Sequence, residues 1–159
     1  MRNTIIRASM WILQKLSFRL NGVRVWGVCN IYPTAKLGKN VKIGWFTEIG
    51  NNVVIGDNVT IGAMCFIPEG VTIETGAWIG PRCTFTNDRY PPKPKEHWEK
   101  TIVRKGASLG AGVTVVCGVE IGDGALIGAG AVITKNIPAW KVYAGVPAQD
   151  IYEKTNGGS

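Results

Sequence analysis

A six-residue period of apolar residues runs through most of this sequence and restricts its possible folds more than any other feature. Every sixth residue from Ile31 to Phe85 is aliphatic or aromatic, and the same spacing resumes from Val103 to Ile133. A short fixed period is typical of a solenoid built from hexapeptide repeats. The residues on the period are Ile31, Leu37, Ile43, Ile49, Ile55, Ile61, Ile67, Ile73, Ile79 and Phe85, then Val103, Leu109, Val115, Ile121, Ile127 and Ile133.

Two further positions of each hexad are restricted. Small or β-branched residues stand two positions before the periodic residue, and glycine often follows it, where we expect a side chain to crowd a corner. One hexad for each of three flat faces gives eighteen residues per turn, with strands paired between turns at ~4.8 Å. Sixteen hexads predict one all-β domain of a little over five turns. The glycines are Gly38, Gly44, Gly50, Gly56, Gly62, Gly80, Gly110, Gly122 and Gly128.

Residues between the periodic apolar positions favour tight corners. Asn40, Asn52, Asn58 and Gly124 belong to residue types that tolerate the left-handed backbone conformation that such turns demand. The alternative, hairpins of a β-sandwich, requires two-residue alternation and longer strands, which this sequence lacks.

The charge of the chain is basic, with a formal net charge of +7. Residues 82–105 hold seven Lys or Arg against three acidic residues, which favours an anionic ligand there over a diffuse affinity for nucleic acid. A solvated basic loop is the alternative. Cys29, Cys65 and Cys83 occupy inward positions as small apolar filler, and no metal motif is present. We therefore expect a reduced, cytoplasmic protein without a metal.

Residues 4–20 form an amphipathic pattern with apolar residues at helical spacing and cations between them. Arg7 and Lys15 interrupt the continuous apolar run that a signal peptide or a spanning helix needs. Two interpretations remain: a helix that caps the open first coil, or a peripheral foot with weak membrane association.

The period fails between the two arrays. Prolines 91, 92 and 94 cannot sustain a strand ladder, so the segment leaves the coil as a loop that also holds His97. We therefore divide the chain into an N-terminal helix and cap (1–28), a β-helix (29–137) with a loop at 86–101, and a C-terminal return, short helix and tail (138–159). Several large apolar residues point outward, which predicts a homo-oligomer: Trp45, Phe46, Met64, Phe66 and Trp78.

The run IGDGALIGAGAVITKNIP at 121–138 and the closing AGVPA at 144–148 resemble the hexapeptide-repeat, left-handed β-helix acyltransferases that use acetyl-CoA. The resemblance covers about residues 29–152. FTNDRYP at 85–91 is similar to the loop of enzymes that N-acetylate amino sugars on nucleotide carriers.

This resemblance implies a homotrimer whose active site lies in the cleft between neighbouring chains. It implies that acetyl-CoA contacts the backbone N–H groups of Ala111 and Ala129, with Thr134 and Lys135 near its nucleotide end and Pro147 beside the adenine. Gln149 stands where the family often has Lys or Arg, so a phosphate contact is not expected there.

The predicted chemistry is acyl transfer. Relatives that O-acetylate sugars have a histidine base early in the loop, where this chain has Asn87 and Asp88. A neutral amine needs no such base, and its proton passes to the departing thiolate. We expect Asn87 to bind the acceptor or the oxyanion and Asp88 to orient the amino sugar. The alternatives are turn chemistry for this pair and His97 as a base.

The resemblance thus predicts an acetyl-CoA-dependent N-acetyltransferase of a nucleotide-linked amino sugar in the biosynthesis of a surface polysaccharide. The alternatives are an O-acetyltransferase of sugars that uses His97 and a non-catalytic β-helix. The sugar, the nucleotide, the ring position and the acyl chain length do not follow from the sequence.

Overall fold

The computed structural model describes residues 21–151, and they form a parallel β-solenoid of about seven turns. Successive short strands pass from face A to face B to face C and return to face A one turn further along. The predicted all-β, left-handed β-helix is confirmed. The helix predicted before residue 21 lies outside the described residues.

The three faces hold nineteen strands. Face A comprises β1 (Arg24–Val25), β4 (Lys42–Ile43), β7 (Thr60–Ile61), β10 (Trp78–Ile79), β13 (Ser108–Leu109), β16 (Leu126–Ile127), β18 (Val142–Ala144) and β19 (Gln149–Asp150). Face B comprises β2 (Asn30–Ile31), β5 (Glu48–Ile49), β8 (Phe66–Ile67), β11 (Thr84–Phe85), β14 (Thr114–Val115) and β17 (Val132–Ile133). Face C comprises β3 (Lys36–Leu37), β6 (Val54–Ile55), β9 (Val71–Ile73), β12 (Thr101–Val103) and β15 (Glu120–Ile121).

The periodic residues form the core. From Ile43 onward each of them is buried, and each pairs in register with its equivalent one turn away, as Ile43 does with Ile61. Ile31 and Leu37 in the first turn are only partly buried, because no described turn covers them.

The glycines that follow the periodic residue sit where the backbones of successive turns come closest. A Cβ at Gly62 would lie 2.4 Å from the nitrogen of Pro81, and one at Gly110 would lie 2.5 Å from the nitrogen of Ala129. Such contacts are impossible without moving the backbone, so the predicted crowding at the corners is confirmed. Asn40, Asn52, Asn58 and Gly124 have positive φ, as the turn chemistry predicts.

The inward column on face B does more than fill space. Cys29, Thr47, Cys65 and Cys83 each donate a side-chain hydrogen bond to the carbonyl of a corner glycine in the next turn, at 2.9–3.2 Å. Prediction of the three cysteines as apolar filler is therefore incomplete, since their thiols satisfy buried backbone acceptors. All four cysteines of the chain are free.

Both ends of the solenoid extend beyond the predicted array. Strand β1 pairs with β4, so the coil begins before residue 29. Ile137 bridges Ile121, and β18 pairs with β16, so the winding continues where an irregular return is predicted. The short helix predicted within residues 138–159 is wrong where the structure describes this segment, because Gln149–Asp150 form a strand antiparallel to β18.

Candidate functional site

The predicted site residues lie along the two edges of face B. Strands of this face run from the corner shared with face A, the A/B corner, to the corner shared with face C, the B/C corner. Ala111 and Ala129 precede β14 and β17 and occupy the A/B corner. Asn87 follows β11, and Thr134 and Lys135 follow β17, so these three occupy the B/C corner.

The late turns of the A/B corner present two unpaired donors. The N–H groups of Ala111 and Ala129, one turn apart, donate to no acceptor among residues 21–151. Gly112 and Gly130 stand beside them at positive φ, and a Cβ at either glycine would meet nothing within 4 Å. An extended ligand can therefore approach this backbone closely and receive both hydrogen bonds.

The C-terminal segment reaches the same corner. The N–H of Val132 donates to the carbonyl of Gly145 at 3.0 Å, and the N–H of Ala148 donates to the carbonyl of Val132 at 2.9 Å. Pro147 lies between these anchors and is exposed. The structure thus brings Ala111, Ala129 and Pro147 to one edge of the molecule.

Lys135 and Thr134 lie in a corner shorter than the others. Ile133 and Ile137 are four residues apart instead of six, yet Ile137 still bridges Ile121. Both Thr134 and Lys135 are exposed, and the Lys135 ammonium lies 6.0 Å from the centre of the Tyr143 ring. Within one chain these residues are separated from Ala111 and Ala129 by the width of face B.

The loop leaves the coil between β11 and β12 and closes on itself at its base. The N–H of Glu99 donates to the carbonyl of Asn87 at 2.9 Å, which pairs the two ends of the loop. The Thr86 hydroxyl accepts a hydrogen bond from the N–H of Cys117 at 3.0 Å. Asn87 is half-buried and therefore sits at a fixed point where the loop meets the coil.

Asp88 organises the loop itself. Its two carboxylate oxygens accept hydrogen bonds from the backbone N–H groups of Tyr90, at 3.0 Å, and Lys93, at 2.7 Å. These contacts match the turn chemistry that was the alternative interpretation of this residue. Each oxygen retains acceptor capacity, so contact with a substrate is also compatible with the geometry.

Arg89 and Glu99 hold the loop against the next turn. Arg89 donates from Nη2 to the carbonyl of Cys117, and its Nε lies 3.3 Å from Oε2 of Glu99. Gly118 passes directly beneath this pair, since a Cβ there would lie 1.8 Å from Oε2 of Glu99. We call Arg89, Glu99, the Cys117 carbonyl and Gly118 the loop latch; no motif in the sequence predicts it.

A second anchor holds the far part of the loop. The loop contains a single-turn 3₁₀ helix, Lys95–His97, and the Lys95 ammonium lies 2.7 Å from Oε2 of Glu69. Glu69 also accepts a hydrogen bond from Asn52 at 3.1 Å. The hydrogen bond from Lys95, with that from Asn52, lowers the pKa of Glu69 below its usual range.

His97 lies at the end of the 3₁₀ helix, exposed to solvent. Its imidazole forms no hydrogen bond with the part of the chain that is described, and no carboxylate there orients it as a catalytic base is usually oriented. Its backbone N–H donates to the carbonyl of Pro94.

Three charged residues form a column across successive turns of face C. Arg104 lies 2.8 Å from Oε1 of Glu74 and 2.7 Å from Oε1 of Glu120. The hydrogen bond from Arg104 lowers the pKa of Glu120, and the hydrogen bonds to both acids raise the pKa of Arg104. Arg104 is therefore already paired, which reduces the free positive charge that the sequence indicates near the loop. Among residues 21–151 no cluster of His, Cys, Asp or Glu could hold a metal ion.

Sequence comparison defines the class of this fold. The bacterial transferase hexapeptide repeat matches residues 34–69 and 100–135. The chain is a hexapeptide-repeat protein, and the predicted resemblance to the hexapeptide-repeat acyltransferases is confirmed.

Particular relatives are of two kinds. The serine acetyltransferase of Buchnera aphidicola is 33% identical over 127 residues, which cover 76% of this chain and 37% of that enzyme. The dTDP-3-amino-3,6-dideoxy-alpha-D-galactopyranose 3-N-acetyltransferase of Aneurinibacillus thermoaerophilus is 41% identical over 54 residues, 34% of this chain and 28% of that one. The chain therefore spans well under half the length of these two curated relatives.

A solved structure matches over a larger share of both chains. AntD, an N-acyltransferase from Bacillus cereus in complex with dTDP and coenzyme A, is 25% identical, with a TM-score of 0.70. The match covers 84% of this chain and 88% of AntD.

Proposed function

We propose that this protein transfers the acetyl group of acetyl-CoA to the amino group of a nucleotide-linked amino sugar. The observation that carries the proposal is the pair of unpaired N–H donors at Ala111 and Ala129 on an open corner flanked by glycines. The relatives add support, since AntD is an N-acyltransferase solved with dTDP and coenzyme A.

The residues on the A/B corner fit an extended thioester-bearing arm. Ala111 and Ala129 donate to its amide carbonyls, and Pro147 provides an apolar wall beside the adenine. Lys135, at the B/C corner of the neighbouring chain, supplies positive charge to a phosphate. Acetyl-CoA supplies the activated acetyl group; the acceptor nitrogen forms the new C–N bond, the C–S bond breaks, and the amine proton passes to the thiolate.

The site is shared between chains in this proposal. Asn87 and the alanine pair lie at opposite edges of face B, so one chain cannot bring them together. In a homotrimer the loop of one chain reaches the A/B corner of its neighbour. Exposed apolar side chains provide a surface for that contact: Trp45, Phe46, Met64, Phe66 and Trp78 are 42–65% exposed.

At this shared site Asn87 binds the acceptor or the developing oxyanion, held in place by the pairing of its carbonyl with Glu99. Asp88 shapes the loop and contacts the sugar through its remaining acceptor capacity. The protein acts in the cytoplasm, on a precursor of a surface polysaccharide.

Acetylation of a hydroxyl group is the second candidate, favoured by the relatives that are named serine acetyltransferases. An alcohol needs a base, which is worth ~10² to 10⁴ in rate, and His97 is the only histidine in the chain. Its exposed, unoriented imidazole makes this the weaker candidate.

The backbone N–H groups of Ala111 and Ala129 can be removed by substitution with proline without altering the corner. Pro81 occupies the equivalent corner position one turn before Ala111, so the chain already accommodates proline there. Ala111→Pro and Ala129→Pro each remove one N–H. We expect each to weaken acetyl-CoA binding, measured by calorimetry, by about five- to tenfold, the contribution of one hydrogen bond.

Ala63→Pro is the matched control, because it makes the same change at the same corner one turn before Pro81. It should leave the affinity unchanged. Equal affinity of all three variants, each correctly folded, would show that acetyl-CoA is not held at this corner.

A further inference from the structure

We propose that the N-terminal end of the β-helix is a docking surface for an anionic membrane. The charge of the chain is unevenly distributed: residues 1–47 contain eight Lys or Arg and no Asp or Glu, whereas residues 48–159 contain ten cations and eleven acids. The whole net positive charge of the protein therefore lies in its first 47 residues. Such asymmetry is typical of chains that bind membranes or nucleic acids.

The structure places four of these cations around one end of the solenoid. Arg24 and Lys42 are neighbours on face A, Lys36 lies on face C, and Lys39 lies at the corner between these faces. All four are exposed. None forms an ion pair within residues 21–151, unlike Arg89, Lys95 and Arg104 around the loop. Their charge is therefore available to an external anionic surface.

Apolar residues share the same rim. Trp26 is 48% exposed and Val28 is 69% exposed, both in the first turn. Tyr32 follows on the next corner, 36% exposed. Aromatic side chains beside cations suit the interface of a bilayer, where the rings sit at headgroup level and the cations attract anionic lipids. Binding of a nucleic acid would not require an exposed aliphatic residue such as Val28, so the composition of the rim favours a membrane.

The position of these residues at the N-terminal end of the solenoid is also suitable for docking on a membrane. The first turn is the end of the described stack, and the rim residues lie on faces A and C and at the corners around it. Residues 1–20 join the coil at this end and add four cations and no acids. The loop and the glycine-flanked corner belong to later turns, so docking at the first turn leaves the candidate site accessible.

Vesicle binding by the full-length protein tests this inference. Wild-type protein should cosediment with phosphatidylcholine vesicles that contain phosphatidylglycerol, and not with phosphatidylcholine alone. Raising the salt concentration should weaken the binding. The variant R24Q/K36Q/K39Q/K42Q should lose more than about a hundredfold in partitioning, because each cation near such a surface contributes about fivefold.

The control variant, R82Q/K93Q/K100Q/K105Q, lowers the net charge equally but changes exposed cations in and around the loop. It should bind vesicles as the wild type does. The melting temperatures of both variants establish that they are folded. Trp26→Ala with Val28→Ala should weaken the binding that persists at high salt.

Four results would overturn the inference. Equal binding by the two charge variants would assign the attraction to net charge or to residues 1–20. Failure of the wild type to bind anionic vesicles, or tighter binding to a DNA oligonucleotide at the same salt, would exclude a membrane. A changed subunit number in R24Q/K36Q/K39Q/K42Q, measured by sedimentation, would make this end a contact between copies.

Discussion

Arg89 in the loop donates a hydrogen bond to the backbone carbonyl of Cys117, one turn further along the β-helix. Together with the contact between Arg89 and Glu99, this bond fixes the base of the loop, where Asn87 lies. The contacts of Arg89 therefore help to place Asn87, which we assign to the acceptor site.

Removing this latch should affect the acceptor more than acetyl-CoA. In Arg89→Ala we expect the KM for the amino-sugar acceptor to rise about tenfold or more, because a charge-assisted hydrogen bond is lost. The KM for acetyl-CoA should stay within about threefold, since Ala111 and Ala129 are unaffected. Chymotrypsin should cleave faster at Trp98, which is exposed on the loop. Lys100→Ala removes an exposed cation without a described partner, so it should change neither the KM for the acceptor nor the rate of proteolysis. Equal effects of Arg89→Ala and Lys100→Ala would show that the latch has no special role.

Gly118 should tolerate no side chain beneath the latch. It has φ +79, and a Cβ would overlap the Glu99 carboxylate. Gly76 has a similar φ of +74 with nothing within 4 Å of its Cβ position. Urea unfolding should show that Gly76→Ala and Gly118→Ala each lose about 1–2 kcal/mol from backbone strain. Only Gly118→Ala should also release the loop to chymotrypsin; identical proteolysis of the two would contradict the contact.

The hydroxyl of Thr47 should contribute through hydrogen bonding. It donates to the carbonyl of Gly62 at 2.9 Å and accepts from the N–H of Cys65 at 3.2 Å. Thr47→Val preserves the shape and leaves both buried groups unpaired, so we expect the free energy of unfolding to fall by about 2–4 kcal/mol. Thr47→Ser retains both hydrogen bonds and should lose clearly less. If the serine variant were the less stable one, packing of the methyl group would outweigh these bonds.

Acidification should loosen the far anchor of the loop. The pKa of Glu69 is lowered by its hydrogen bond from Lys95, so its folded-state pKa lies below its unfolded value. Such a group stabilises the fold above the unfolded pKa of about 4.3, and the stabilisation is lost as the pH falls through the folded-state value. Cleavage of the loop by an acid-tolerant protease should therefore become faster as the pH falls. Glu69→Gln should flatten this pH dependence; an unchanged profile would show that another group controls the loop.

Most of the coil can be predicted from the sequence, because each hexad carries its own buried apolar residue and its own corner residue. Ile43 and Ile61 are buried in register at the predicted positions, and Gly62 and Gly110 occupy corners that exclude a Cβ. The missed strands have identifiable causes. Val25 lies six residues before Ile31 but is followed by Trp26 rather than glycine, and Tyr143 pairs with Ile127 after sixteen residues instead of eighteen.

The candidate site was less predictable, since its contacts join residues distant in the chain. No local pattern links Arg89 to Cys117 or Glu69 to Lys95, because the loop has no period that fixes its partners. Gly118 gave no signal of its own, because it falls on the regular six-residue spacing of Gly112, Gly118 and Gly124. The roles predicted for Asn87, Asp88, His97 and the residues at the A/B corner remain predictions.

The most direct test of the proposed function is release of free thiol from acetyl-CoA with a panel of acceptors. The panel pairs nucleotide-linked amino sugars with their hydroxyl counterparts and includes free serine, for wild type and His97→Ala at several pH values. We predict turnover with amines only, changed by less than about threefold in His97→Ala. Turnover with hydroxyl acceptors that falls by ~10² or more in that variant would contradict the proposal and identify His97 as the base.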